Sequence, residues 1–88
     1  MEIIILPRAE KQFRRLSKVD QIVLATKIRS LKNKKISTGK EKLKGFKDVF
    51  RIRVSHYRIV YKQSPGKIWI ILISHRKDVY KILQRVLG

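Results

Sequence analysis

Arg51, Arg53 and Arg58 stand in the stretch FRIRVSHYRIVY, residues 50–61, where they alternate with apolar residues as in two strands joined by a short turn. A guanidinium group keeps its charge near neutral pH and grips phosphate oxygens through paired N–H donors, so arginines lined up on one side of a hairpin suit a phosphodiester. His75, Arg76 and Tyr80 follow in HRKDVYK, residues 75–81. A histidine in this position is able to take a proton near neutral pH and is a candidate general base. Tyr80 offers a hydroxyl to a reaction or a ring on which an unpaired base can stack. A plainer account stays open for each of them: an exposed strand face of a basic protein, a turn histidine bonded to backbone, a tyrosine at the rim of a core. His56, in the hairpin turn, is assigned to the turn, and Tyr61 and Trp69 to the core.

The balance of charge supports a polyanionic partner. Twenty-three Lys and Arg stand against six Asp and Glu, a formal net charge of +17 in 88 residues. Such self-repulsion costs folding free energy and favours binding to nucleic acid. No apolar run approaches the roughly 18 residues that span a bilayer, and the start MEIIILPRAEK lacks the basic lead and cleavage site of a secretory signal, so a cytoplasmic protein with no membrane association is expected. The chain has no cysteine, which excludes disulfides, thiolate nucleophiles and Cys-based zinc sites, and its two histidines have no carboxylate at ligand spacing; neither a metal nor a cofactor is implied.

The elements that must position these residues can be read in order. A single domain of this size buries only about two thirds of its unfolded surface, so each element has to contribute to one small core. Ile3 to Leu6 form a short strand, ended by Pro7, which suits the first turn of a helix. Phe13 and Leu16 mark the buried side of that helix. Ser17, with Asp20 three residues on, starts a second helix whose apolar stripe is expected to be Val19, Ile22, Val23, Ile28 and Leu31, with Lys27, Arg29 and Lys32 outside it. Residues 33–48, rich in lysine and including Lys34 and Lys44, read as a surface connection anchored by Leu43 and Phe46, its charge either solvated or facing a polyanion.

Three strands follow. Residues 49–54 and 57–62 flank Ser55 and His56, and this register sets Val54 against Tyr57, Ile52 against Ile59 and Phe50 against Tyr61 on a core face. The same register sets Arg53 directly opposite Arg58 on the other face. SPGK, with proline and glycine in the central positions of a type II turn, returns the chain into KIWIILIS, which is apolar at both parities and therefore belongs in the middle of a sheet covered on both faces. Val79, Ile82, Leu83, Val86 and Leu87 recur at helical spacing in a closing helix. The whole predicts one α+β domain over residues 1–88, β-α-α-β-β-β-α, with a mostly antiparallel four-stranded sheet. Antiparallel return would gather Arg53, Arg58, His75 and Arg76 at one end of that sheet, with Arg51 and Tyr80 close by.

KLKG at 42–45, FRIRV at 50–54, YRIVY at 57–61 and HRKDVYK at 75–81, in that order and spacing, resemble the RelE/ParE toxin superfamily, and the resemblance covers nearly the whole chain. It implies a type II toxin of one of two kinds on a shared fold: a RelE-like enzyme that cuts messenger RNA in the ribosomal A site, or a ParE-like poison of DNA gyrase. The RelE-like pattern has basic residues at the positions of Arg51 and Arg53, an arginine at Arg58, a basic residue at Arg76 and a tyrosine at Tyr80. The best-studied sites of that kind carry lysines where this chain has Arg51 and Arg53, which shifts general-base work to His75 or Tyr80. The implied reaction is metal-free: the substrate's own 2′-hydroxyl attacks the adjacent phosphorus, with Arg53, Arg58 and Arg76 stabilising the charge and Arg51 holding the RNA. Lys11, Lys27, Lys32, Lys34 and Lys44 would contact ribosomal RNA. The resemblance also implies an acidic cognate antitoxin and binding of operator DNA only as the toxin–antitoxin complex. A family member that binds RNA and no longer cuts is the remaining alternative.

Overall fold

The structure, a computed structural model, describes residues 2–32, 40–75 and 79–87, with the side chains of residues 40, 80, 86 and 87 outside that description. The elements are β1 (Glu2–Ile5), α1 (Pro7–Arg14), α2 (Lys18–Ser30), β2 (Lys40–Lys42), β3 (Val49–Val54), β4 (Tyr57–Ser64), β5 (Lys67–Ser74) and α3 (Val79–Leu87). They form a five-stranded sheet in the order β1-β5-β4-β3-β2. Only β1 and β5 pair in parallel; the other neighbours are antiparallel.

The sheet has one strand more than the four expected. Lys40, Glu41 and Lys42 carry no strand signature of their own, but they pair with Ile52, Arg51 and Phe50 along the free edge of β3. The strand is held there by its neighbour: Leu43, buried as expected for the anchor of this segment, donates its N–H to the carbonyl of Val49 at 2.9 Å. A three-residue polar strand of this kind is made by tertiary pairing, not by propensity.

The hairpin has the expected register. Val54 pairs with Tyr57, Arg53 with Arg58, Ile52 with Ile59 and Phe50 with Tyr61. Gly66 takes a φ of 77°, the left-handed conformation that the third position of a type II turn requires, and β5 returns beside β4. The register slips by one residue at Val60/Tyr61, since Val60 faces Leu72 while Tyr61 faces Ile70. This bulge lets Ile71 and Leu72 both join the core under α3, while Ile68, Ile70 and Ile73 join the core under α1 and α2. The apolar run of β5 is thus divided between two clusters, and the strand is covered on both faces.

The two N-terminal helices are locked end to end. Ser17 caps α2 by accepting from the Asp20 N–H at 3.2 Å. The Gln21 amide donates to the carbonyls of Phe13 and Leu16, each at 3.2 Å, which satisfies the last turn of α1. The buried side of α2 is not the one expected from its stripe. Leu24 and Ile28 are buried and Leu31 packs with them, whereas Val19, Ile22 and Val23 are 71%, 60% and 41% exposed. The helix is apolar on two sides, and the side turned towards the sheet carries 24, 28 and 31 together with Asp20, whose carboxylate accepts from the Tyr57 hydroxyl at 3.1 Å. Lys27 follows them and is half-buried, not on the outer face.

Candidate functional site

Arg51, Arg53 and Arg58 occupy alternate positions on the face of the sheet that carries α3, the parity shared with Val49 and Val60. Arg53 and Arg58 are cross-strand partners, the former exposed and the latter half-buried, and among the described residues neither has an acidic partner. Like charges set directly opposite each other on a sheet are destabilising. Arg51 differs: its guanidinium pairs with Glu41, its direct partner across β2 and β3. The short β2, not expected from the sequence, therefore supplies a carboxylate to a predicted RNA-holding arginine, while Arg53 and Arg58 have none among the described residues.

His75 follows Ser74, which pairs with Arg58 across β4 and β5. Its ring turns to the other face, edge-on to Tyr57 with centroids 6.3 Å apart. Arg76 lies outside the described residues. Tyr80 stands in the first turn of α3, its side chain outside the description. Of the lysines expected to meet RNA, Lys11, Lys32 and Lys44 are exposed, Lys27 is half-buried, and Lys34 lies outside the described residues.

The structure also brings together residues that no sequence pattern associates. A cleft of about 500 Å³ opens where α1, the end of β5 and α3 meet. Arg8 and Arg15 enter it from α1 and the loop after it, Arg85 from α3, and His75 and Tyr57 from the strand ends. Its floor is fixed by two internal bonds. Beyond the last residue that β1 pairs, the Ile73 N–H donates to the Gln12 side-chain carbonyl at 2.9 Å, and the Tyr57 hydroxyl is held by Asp20. That bond, then partial burial and the nearby Asp20 charge, raise the Tyr57 pKa above its usual value. Sequence spacing offered no signal for this cluster, since its arginines lie at opposite ends of the chain.

The described residues contain no group of three or more His, Cys, Asp or Glu placed to hold a metal ion, and none of the described helices is long and apolar enough to cross a membrane. The site's resources are guanidinium groups, one imidazole and tyrosine hydroxyls, which suit charge stabilisation and proton movement at a phosphodiester.

The chain and its fold resemble toxins of type II toxin–antitoxin systems. Residues 3–80 match the family model for the ParE toxin of the type II toxin-antitoxin system, parDE. The chain therefore belongs to the ParE toxin family, within the RelE/ParE superfamily. No curated protein matches the sequence significantly. Among solved structures, isolated RelE toxin of E. coli is similar at 27% identity and a TM-score of 0.67 over 97% of both chains. The E. coli RelBE toxin–antitoxin complex matches at 24% identity and a TM-score of 0.69, over 85% of this chain and 95% of that one. A double arginine-to-alanine variant of E. coli RelE in the free state gives a TM-score of 0.73 at 22% identity, over 97% of this chain and 96% of that one. The last two likenesses establish the fold only.

Proposed function

We propose that this type II toxin is a ribosome-dependent endoribonuclease that cuts messenger RNA in the A site. The observation that carries this reading is the registered pair Arg53 and Arg58, which lacks a carboxylate partner among the described residues and is held at a cost in stability. A pair of fixed positive charges on a rigid sheet is suited to the charge that builds on phosphorane oxygens. In the reaction the 2′-oxygen bonds to phosphorus, the bond from phosphorus to the 5′-oxygen breaks, and the products are a 2′,3′-cyclic phosphate and a 5′-hydroxyl. A base removes the proton of the 2′-hydroxyl and an acid returns one to the departing 5′-oxygen. Arg53, Arg58 and Arg76 stabilise the transition state, Tyr80 or His75 moves protons, and Arg51, released from Glu41, holds the strand. The imidazole of His75 lies edge-on to Tyr57, on the other face of the sheet from the arginine pair. Lys11, Lys32, Lys34 and Lys44 contact ribosomal RNA around the site, in the cytoplasm. An acidic antitoxin, as RelB is the partner of RelE in the complex this fold resembles, neutralises the chain, and the pair together binds operator DNA.

A second reading rests on the family model itself, which is that of the ParE toxin. Under it the chain inhibits DNA gyrase, and the arginines form a binding surface. One experiment separates the two. The purified chain is added to ribosomes programmed with a short message and RNA ends are mapped by primer extension, beside a gyrase supercoiling reaction. Cuts confined to the A-site codon, and lost in Arg58→Ala, are expected. Intact message together with trapped, cleaved DNA would overturn the ribonuclease reading in favour of the gyrase one.

A further inference from the structure

Apart from His75 on its rim, the cleft between α1, the end of β5 and α3 lies outside the Arg53 and Arg58 pair, and its arginines take no part in the reaction proposed above. Arg8, Arg15 and Arg85 make no ion pair among the described residues, in contrast to Arg14, which pairs with Glu10 at 2.6 Å, and Arg51, which pairs with Glu41. No described acidic residue lines the cleft. Its polar floor is already engaged, because Gln12 accepts from Ile73 and Tyr57 donates to Asp20. What the cleft presents outward is therefore guanidinium charge beside the edge-to-face rings of Tyr57 and His75.

A cationic groove with aromatic side chains is the combination by which proteins hold single-stranded nucleic acid: arginine forks take phosphates, and rings take bases. The position of the cleft adds continuity. His75 on its rim is the residue after Ser74, and Ser74 is the cross-strand neighbour of Arg58. A strand of RNA whose scissile phosphate lies at the arginine pair would pass over this end of the sheet and reach the cleft directly. Resting on the ribonuclease reading for the position of that scissile phosphate, we propose that the cleft is a second RNA subsite: it holds the backbone and a base of the single-stranded segment flanking the cut.

The test measures binding separately from cutting. Wild-type protein and a triple variant, Arg8→Gln with Arg15→Gln and Arg85→Gln, are titrated by fluorescence anisotropy with a labelled 2′-O-methyl oligouridylate, which has no 2′-hydroxyl to attack, over a series of salt concentrations. A second triple variant, Lys18→Gln with Arg29→Gln and Lys67→Gln, removes the same charge from exposed positions outside the cleft. All these side chains are exposed, and equal thermal midpoints verify the fold. The cleft variant should bind at least about 10-fold more weakly, with a salt slope shallower by about 2, as losing three phosphate contacts to a single strand predicts. Equal losses in the two variants, or a slope unchanged in the cleft variant, would overturn the proposal. So would polyglutamate binding that depends on the cleft arginines while oligouridylate binding does not, for the cleft would then be a seat for an acidic peptide. Cleavage on ribosomes is scored independently. Wild type that fails to cut while the cleft variant loses its slope would sink the ribonuclease reading and leave an RNA-binding cleft; wild type that cuts while the slope stays unchanged would sink the cleft alone.

Discussion

The sheet of this toxin has two faces made for different purposes. Under α1 and α2 the face is closed by a cluster that runs from Ala9 and Leu24 through Ile52, Ile59 and Tyr61 to Ile70 and Ile73, with Phe13, Leu16 and Tyr57 packed at its margin. The other face carries a smaller cluster, Leu43, Val49, Val60, Ile71, Leu72, Val79 and Leu83, and beside it the arginines of β3 and β4. One face is closed by two helices and the other, among the described residues, by α3 and the segment around Leu43 and Phe46. The larger core therefore lies on the first face and the paired arginines on the second. Under either function proposed above, the arginines that would decide the target do not build the larger core, so the fold can be kept while that face changes.

The most severe way to break the comparison is to open the larger core. Leu24 is fully buried between α2 and the sheet, and Leu24→Ala should destabilise the protein by about 3 to 5 kcal/mol, the transfer term plus the cavity left behind. Leu83→Ala, the same change at a fully buried position of α3, should cost closer to about 2 to 3 kcal/mol, because a helix packed on the smaller cluster can settle into the space. Urea unfolding of both variants measures the difference. Equal losses would show that α3 is as rigidly packed as α2 and that the two faces share the stability evenly.

How much of this asymmetry could be read from the sequence depends on what carried the information. The hairpin register was legible because alternation, a two-residue turn and the fixed pleat leave little freedom, and the Arg53 and Arg58 pairing followed from it. The two-sided burial of β5 was legible from its unbroken apolar run. The exposed side of α2 was not, because a helix apolar on both sides carries no phase, and the bond between Tyr57 and Asp20 that accompanies it joins residues 37 positions apart. The strand at 40–42 was invisible for a related reason: its pairing is dictated by the edge of β3, not by lysine and glutamate. The cleft arginines were missed because only the meeting of α1 and α3 at the end of β5 makes Arg8, Arg15 and Arg85 neighbours. Local pattern fixes strands and turns well, and it says little about which distant side chains share a space.

That same distant bond offers a milder way to sharpen the comparison. Tyr57→Phe removes the hydroxyl that holds α2 to the sheet and should cost about 0.5 to 1.5 kcal/mol at neutral pH, the usual net worth of one hydrogen bond. Its signature is in alkali. The folded-state pKa of Tyr57 is raised above the usual 10.0, first by the bond donated to Asp20, so the bond's contribution is fully present below that value and is lost as pH rises through the higher folded-state value. Tyr61, raised by burial, titrates in the same direction and contributes its own loss. Stability measured from neutral pH upward should fall steeply in the wild type and less steeply in Tyr57→Phe; parallel curves would mean that the hydroxyl does not hold α2 in place.

The smallest effect on stability should be a gain, and it falls on the arginine face. Arg53→Gln removes one member of the cross-strand pair while keeping a polar, exposed side chain of similar reach. Relief of like-charge repulsion should then raise stability by a few tenths to about 1 kcal/mol, the range in which directly opposed residues on neighbouring strands act on each other. The same variant should lose ribosome-dependent cleavage by about 100-fold or more, as removal of a charge that stabilises the transition state does elsewhere. A protein more stable and less active would show that the arginine pair is retained against the interest of folding, as residues of a working site commonly are. If instead Arg53→Gln were less stable than the wild type, the pair would be contributing to the packing of the sheet, and its repulsion would no longer count as a mark of function.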